Sequence, residues 1–338
     1  MKDSPNQPPN ESPWPHRLAV ALAAAIFPLI WVGGLVTTYD AGMAVPDWPT
    51  TYGYNMFLYP WQTWLFGPWD LFIEHGHRLF AALVGLLTIA LSVALYRSEK
   101  RPWVRHLGLA AVALVIFQGV LGGMRVRLDA RVLAQIHGCV GPAFFALAAA
   151  LAVFTSRRWR AAEPGSGVVD RRVFRLALVT TLLAYAQLVL GSQVRHVSLE
   201  ADATVFRAAV FLHLFGAALV AFHALLLAAR AGSRRSGDAW VVAPVQFLAA
   251  LVLAQVALGC GAWVVNYGWP AWLADYPWAA AYVVARQSAV QAVVTTGHVA
   301  IGSLILATSL TVALRSWRLS ARPFRGASLS TLTWEAAR

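Results

Sequence analysis

The chain has 338 residues, 59% hydrophobic and only 12% charged, with a mean hydropathy of +0.59. A soluble domain carries roughly 25% charged residues, so this composition excludes one. The net charge of +12 comes from Lys and Arg in short segments between apolar blocks, with no basic-aromatic domain, which argues for a membrane topology signal and against a nucleic-acid binder.

The stretch Met1 to Pro15 is polar and proline-rich and has no apolar core of a signal peptide, so residues 1–17 are expected to form a disordered cytoplasmic tail. Eight apolar blocks follow, at about 18–38, 77–96, 104–124, 132–155, 173–194, 207–229, 241–265 and 289–314. Each has the length that crosses a hydrocarbon layer of roughly 30 Å. The predicted fold class is an all-α membrane protein of eight transmembrane helices.

The first outward loop, Tyr39 to Ile73, holds Asp47-Trp48-Pro49 and Tyr59-Pro60-Trp61 and no Lys or Arg. Its aromatic residues suit the headgroup level of a bilayer, or the cap of a pocket that opens outward. Glu74-His75-Gly76-His77-Arg78 then heads the second block. Ionisable residues at membrane depth are expensive and tend to carry function. On a helix Glu74 and His77, three residues apart, share one face.

Lys and Arg cluster in alternate loops: Arg97, Lys100, Arg101 and Arg105, then Arg157, Arg158, Arg160, Arg171 and Arg172, then Arg230, Arg234 and Arg235. The opposite loops hold fewer, among them Arg125, Arg127, Arg131, Arg195, Arg207 and Arg286. Both termini are therefore expected in the cytoplasm. The segment Arg157 to Arg172 contains Glu163-Pro164-Gly165-Ser166-Gly167 and reads as a linker. It predicts an N-terminal half at 18–156, a linker at 157–172, a C-terminal half at 173–316 and a cytoplasmic tail at 317–338.

A repeat supports that division into two homologous four-helix bundles. Gln-x-x-Leu-Gly recurs at Gln118–Gly122, Gln187–Gly191 and Gln255–Gly259, each late in an odd-numbered block. Each even block carries a histidine: His77, His137, His213 and His298. Even blocks run inward, so all four lie in the outer half of the membrane. Zinc would want three or four clustered ligands. Two histidines facing each other in a four-helix bundle fit the axial positions of one haem iron, and two halves give two such sites. Gly76, Gly138, Gly141, Gly216, Gly297 and Gly302 could let a flat macrocycle approach the backbone, or could serve helix packing. Arg78, Arg131 and Arg207 are candidate partners for haem propionates. His16, His75, His106, His196 and His223 are expected to be polar contacts. Cys139 and Cys260 form no CxxC pair and are expected to be small buried hydrophobes.

From about Leu18 to Leu314 these features resemble the haem A synthase family: eight spans in two halves, a Glu-x-x-His-Arg element at Glu74–Arg78, and one His per even span. The resemblance implies oxidation of a ring methyl of haem O to a formyl group by successive hydroxylation, in haem A biosynthesis for terminal oxidases. It implies that His77 and His137 hold the substrate haem, that His213 and His298 hold a haem b cofactor, and that Glu74 is the catalytic acid at the substrate methyl. It further implies a plasma-membrane location, a haem O synthase supplying substrate, and an electron-transfer partner. Many bacterial members carry a cysteine pair in the first outward loop, and this chain has none. Two competing functions stand beside this one, and only the first uses the same histidine pairs. A bis-histidine di-haem b electron carrier would hold no substrate haem. A transporter would have helices broken at the midplane.

Overall fold

A computed structural model describes residues 12–197, 200–232 and 238–320. Most of the expected N-terminal tail and all but the first few residues of the expected C-terminal tail lie outside the described residues. Eight long helices dominate: α1 Trp14–Thr38, α2 Trp69–Ser98, α3 Pro102–Arg127, α4 Arg131–Thr155, α5 Arg171–His196, α6 Ala203–Ala231, α7 Ala239–Tyr267 and α8 Ala289–Leu319. All eight are long and apolar enough to cross a membrane. The chain is an all-α, multi-pass membrane protein.

The two halves begin their helices differently. In the second half every helix has a side-chain N-cap: Asp170, Asp202, Asp238 and Ser288 accept from the backbone N–H of Arg172, Thr204, Trp240 and Gln291. Each cap satisfies a donor that the first helical turn leaves over. In the first half Pro13, Pro68 and Pro102 stand at helix starts instead. Proline fits there because its missing N–H would be unpaired anyway. Pro142 lies inside α4, yet that helix runs unbroken from Arg131 to Thr155.

Helices α1 to α4 pack as a closed ring, each against the next and α4 back onto α1. Helices α5 to α8 do the same. The rings meet through α4 and α8, with α1 against α8 and α4 against α5. Burial follows this plan: 56% of the most apolar window is buried in α4 and α8, against 22–28% in the other six helices. The lipid-facing helices have no aqueous side to avoid, so apolar residues cover their whole circumference.

Several helices start earlier than their apolar blocks. Helix α2 begins at Trp69, eight residues before the block at 77, and α6 begins at Ala203. This puts the four histidines at similar depth, as the ninth residue of α2, seventh of α4, eleventh of α6 and tenth of α8.

The first connection, residues 39–68, is a folded cap. It contains a short 3-10 turn at Ala41–Met43, an antiparallel pair of Thr50–Thr51 with Tyr54–Asn55, and a helical turn at Trp61–Leu65. Asp47 accepts from the N–H of Tyr52 and Gly53, and the Tyr52 hydroxyl donates to the Ala44 carbonyl. The connection between α7 and α8 touches it, through Gln287 Nε2 donating to the Tyr39 carbonyl at 3.2 Å.

Candidate functional site: two histidine pairs

Each of the four histidines stands over a glycine of the helix before it. A Cβ added to Gly33 of α1 would meet His77 Cε1 at 3.0 Å. The equivalent approaches are 3.2 Å from Gly122 to His137, 2.9 Å from Gly191 to His213 and 3.0 Å from Gly259 to His298. At Gly191 a Cβ would force a shift, and at the other three the ring would have to give by a few tenths of an ångström, so glycine is what leaves each ring its room. The same device thus occurs four times, on α1/α2, α3/α4, α5/α6 and α7/α8.

The Gln-x-x-Leu-Gly repeat supplies the rest of the cradle. Gln and Gly are four residues apart and share a helix face. Gln118 Nε2 donates to the His137 carbonyl at 3.2 Å. Gln187 Nε2 lies 2.9 Å from both the His213 carbonyl and its Nδ1. Gln255 Nε2 lies 3.4 Å from His298 Nε2. Helix α1 has Leu29 where the repeat has glutamine, so His77 alone lacks this partner.

In the second ring of helices two of the histidines meet. The rings of His213 and His298 have centres 6.2 Å apart and planes inclined at 73°. An iron held between two imidazoles by bonds of about 2 Å would set the ring centres about 6 Å apart. His77 and His137 lie within electrostatic reach of each other in the other ring of helices. Among the described residues no group of three or more His, Cys, Asp or Glu could hold a metal ion.

Hydrogen bonding at Nδ1 separates three of these four from the other histidines, whereas His213 Nδ1 is bonded to Gln187 and His75 has a buried, unpartnered Nε2. Nδ1 is buried and unpartnered in His77, His137 and His298. By contrast Nδ1 bonds to the Ala152 carbonyl in His16, to Thr51 Oγ1 in His75, to the Ser192 carbonyl in His196 and to the Leu219 carbonyl in His223. His106 is exposed. Buried polar atoms are almost always paired, so three orphaned imidazole nitrogens at matched positions call for a ligand. The separation of His213 and His298 would suit a haem iron between them.

Glu74 sits within α2, in its second turn and not at its end, and is 2% exposed. Both carboxylate oxygens are engaged: Oε2 accepts from the Val45 N–H at 2.8 Å and Oε1 from Arg78 at 2.8 Å. Arg78 also donates to the carbonyls of Asp47, Thr50 and Val45, at 2.7, 3.2 and 2.8 Å. Its terminal nitrogens are thus committed to the first connection, and a haem propionate would have to displace one of these bonds. Arg131 and Arg207 are exposed, and Arg207 Nε donates back to the Ala203 carbonyl at 3.3 Å.

Two arginines that the sequence offered only as loop charges lie nearer the histidines. Arg125, in the last turn of α3, donates to the Gly42 carbonyl at 3.3 Å and lies within electrostatic reach of His77, His137 and Glu74. Arg195, near the end of α5, crosses to the other half and donates to the Gly34 carbonyl at 3.1 Å and Thr38 Oγ1 at 2.9 Å. It lies within electrostatic reach of His298. Helix α1 serves both sites with adjacent glycines, since Gly33 faces His77 while Gly34 faces Thr296 of α8. Neither arginine could be singled out from sequence, because the distinguishing feature is the backbone opposite.

The first connection closes over the N-terminal pair. Trp48 lies directly on Gly123 of α3, where a side chain would collide with its indole. His75 is fully buried beneath the same connection, between the rings of Tyr59 and Trp64, each 5.2 Å away. Of the six glycines expected near a macrocycle, Gly141, Gly216 and Gly302 face Gln118, Gln187 and Gln255, and Gly297 faces Trp31. Gly76 has only Trp64 near it, and Gly138 faces open space. Cys139 is half-buried, while Cys260 is exposed and corrects the expectation of a buried thiol.

Known proteins resemble this chain in sequence. Residues 68–206 match the COX15-CtaA family model, described as cytochrome oxidase assembly protein. A protein named heme A synthase from Symbiobacterium thermophilum is 28% identical over 270 residues, which cover 70% of this chain and 81% of that protein. One of the same name from Shouchella clausii is 26% identical over 183 residues, covering 53% of this chain and 58% of the relative. Another, from Shewanella oneidensis, is 27% identical over 175 residues, covering 48% and 51%. The match to the Shouchella and Shewanella proteins thus spans little more than half their length. Over residues 68–206 the chain is thus similar to the COX15-CtaA family of cytochrome oxidase assembly proteins.

Proposed function

We propose that this protein is a haem A synthase of the plasma membrane, with both termini in the cytoplasm. The observation that carries the proposal is the glycine-cradled histidine on each of four helices, two in each ring, with the His213 and His298 rings facing each other and orphaned imidazole nitrogens at three of the four. The names of the relatives support it. In this proposal His77 and His137 hold haem O as substrate, and His213 and His298 hold a haem b cofactor. A bound haem b supplies one-electron redox chemistry, tuned by its axial ligands and their hydrogen bonds.

The substrate change is from methyl to formyl. It removes four electrons and four protons and adds one oxygen, counted as water, which implies an electron-transfer partner as acceptor. The protein's contribution is orientation and electrostatics. Gln118 fixes the backbone at His137, and Gln187 and Gln255 fix the rings of His213 and His298. Arg125 and Arg195 bring positive charge beside the two pairs and suit haem propionates better than Arg78, Arg131 or Arg207. Glu74 keeps its place at the edge of the N-terminal pair. Its paired carboxylate suits holding the cap and countering positive charge more than relaying a proton. Haem O would come from a haem O synthase in the same membrane.

Extraction of pigment from the purified protein, followed by mass spectrometry, tests the proposal. It expects haem b together with haem O, a hydroxylated intermediate or haem A. Haem b alone would replace the enzyme with an electron carrier.

A further inference from the structure

At the end of the bundle opposite the histidine pairs, a cavity of about 380 Å³ opens where α2 passes to α3, α4 ends and α8 ends. That is within the size range of small-molecule sites, roughly 300–1,000 Å³. Among the described residues Lys100, Arg101, Arg160 and Arg318 line it with one carboxylate, that of Glu99, a net charge of +3. The carboxylate is neutralised within the protein. Arg101 grips both its oxygens, at 2.9 and 2.8 Å, and Arg160 stands 3.9 Å away.

Aromatic rings build the walls. Trp159 is 1% exposed and forms the floor, stacked on Trp317 with ring centres 6.2 Å apart and planes at 27°. The Arg318 guanidinium lies 5.2 Å from the Trp159 ring and that of Arg101 5.4 Å from the Trp103 ring. Trp103 and Trp317 are about half exposed at the rim. Tryptophan in such a position settles at the boundary between lipid tails and headgroups.

We propose that this cavity binds the phosphate of an anionic amphiphile lying at the membrane surface. Guanidinium groups recognise phosphate oxygens in a planar fork, the cavity's charge is cationic, and its exposed tryptophans lie where a headgroup arrives. Such a ligand touches both halves of the protein, because Trp103 belongs to α3 and Trp317 to α8. The site is independent of haem chemistry.

Native mass spectrometry on the full chain, stripped of lipid in detergent, tests this with phosphatidylglycerol, phosphatidylcholine and inorganic phosphate as probes. One phosphatidylglycerol per chain is expected to be retained in preference to phosphatidylcholine. Lys100→Gln removes an exposed cation and should weaken retention about fivefold, with the double variant Lys100→Gln/Arg160→Gln weaker by about twentyfold. Unchanged elution of Lys100→Gln shows that the weakening is not misfolding. Competition by inorganic phosphate assigns binding to the phosphate group alone, and retention in its presence assigns it to the lipid headgroup. Equal retention of phosphatidylcholine, or wild-type retention of phosphatidylglycerol by the double variant, would overturn the proposal.

Discussion

Glu74 and Arg78 form an ion pair of 2.8 Å one helical turn apart, and both reach out of α2 to the backbone of the same connection. Together they hold Val45 by its N–H and its carbonyl, and Arg78 adds the carbonyls of Asp47 and Thr50. Four backbone groups of an irregular segment are thereby satisfied next to the membrane, where water is scarce. The Glu-x-x-His-Arg element therefore couples the cap to the helix that carries His77.

Removing one partner of a buried pair leaves the other uncompensated and costs roughly 3–5 kcal/mol. Arg78→Ala should release the cap, raising the rate of proteolysis around the turn at Tyr52–Gly53 by more than tenfold. Glu74→Ala should retain haem and stop haem A formation in cells supplied with haem O. Equal haem A yield from Glu74→Ala and the wild type would end the assignment of Glu74.

Alanine at Gly191 or Gly259 would push its Cβ against His213 or His298. Both variants should fold but bind the C-terminal haem at least tenfold more weakly, read from the absorption spectrum. Gly138→Ala meets nothing within 4 Å, and should leave the spectrum unchanged. It should also raise stability by about 0.5–1 kcal/mol, since glycine is the weaker helix former. A matching spectral loss in Gly138→Ala would show that the effect is not specific to the cradles.

Gln187 bonds both the ring and the carbonyl of His213. Partners that orient a metal ligand typically contribute about 10–100-fold to affinity. Gln187→Leu should therefore lower C-terminal haem retention in that range and shift its midpoint potential. Gln118→Leu should act on the N-terminal site only, which haem titration of each variant can separate.

Glu99 gives a pH test outside the membrane-spanning segments. Burial pushes its carboxyl upward, but the hydrogen bonds from the Arg101 side chain and N–H, with the charges of Arg101 and Arg160, hold it below its ordinary value of 4.5. A carboxyl lowered by folding contributes stability that is present above the ordinary value and lost as pH falls through the folded one. The melting temperature should therefore fall as pH drops below 4.5. The Glu99→Gln variant should show a shallower fall.

Much of this arrangement was legible in the sequence. The eight spans follow from apolar length, and the histidines stood out because one falls in each even block. Helix starts were less legible. Trp69-Asp70-Leu71-Phe72-Ile73-Glu74 mixes polar and aromatic residues, which hides a helix from a search for apolar runs, although Pro68 marks its beginning. The Gln-x-x-Leu-Gly repeat was visible, but its purpose was not, since that lies in contacts with the next helix. The four-residue step from Gln to Gly was the available clue. The roles of Arg125 and Arg195 depend on carbonyls of distant segments, Gly42 and Gly34, which no local pattern marks.

The claim on which the rest depends is that each half grips one haem between two histidines. Haem content per chain, measured in purified wild type and in His298→Ala, tests it most directly. Two haems in the wild type are expected, with loss of haem b and retention of the substrate haem in the variant. A wild-type chain that binds no haem, or a variant that keeps both in full, would contradict it.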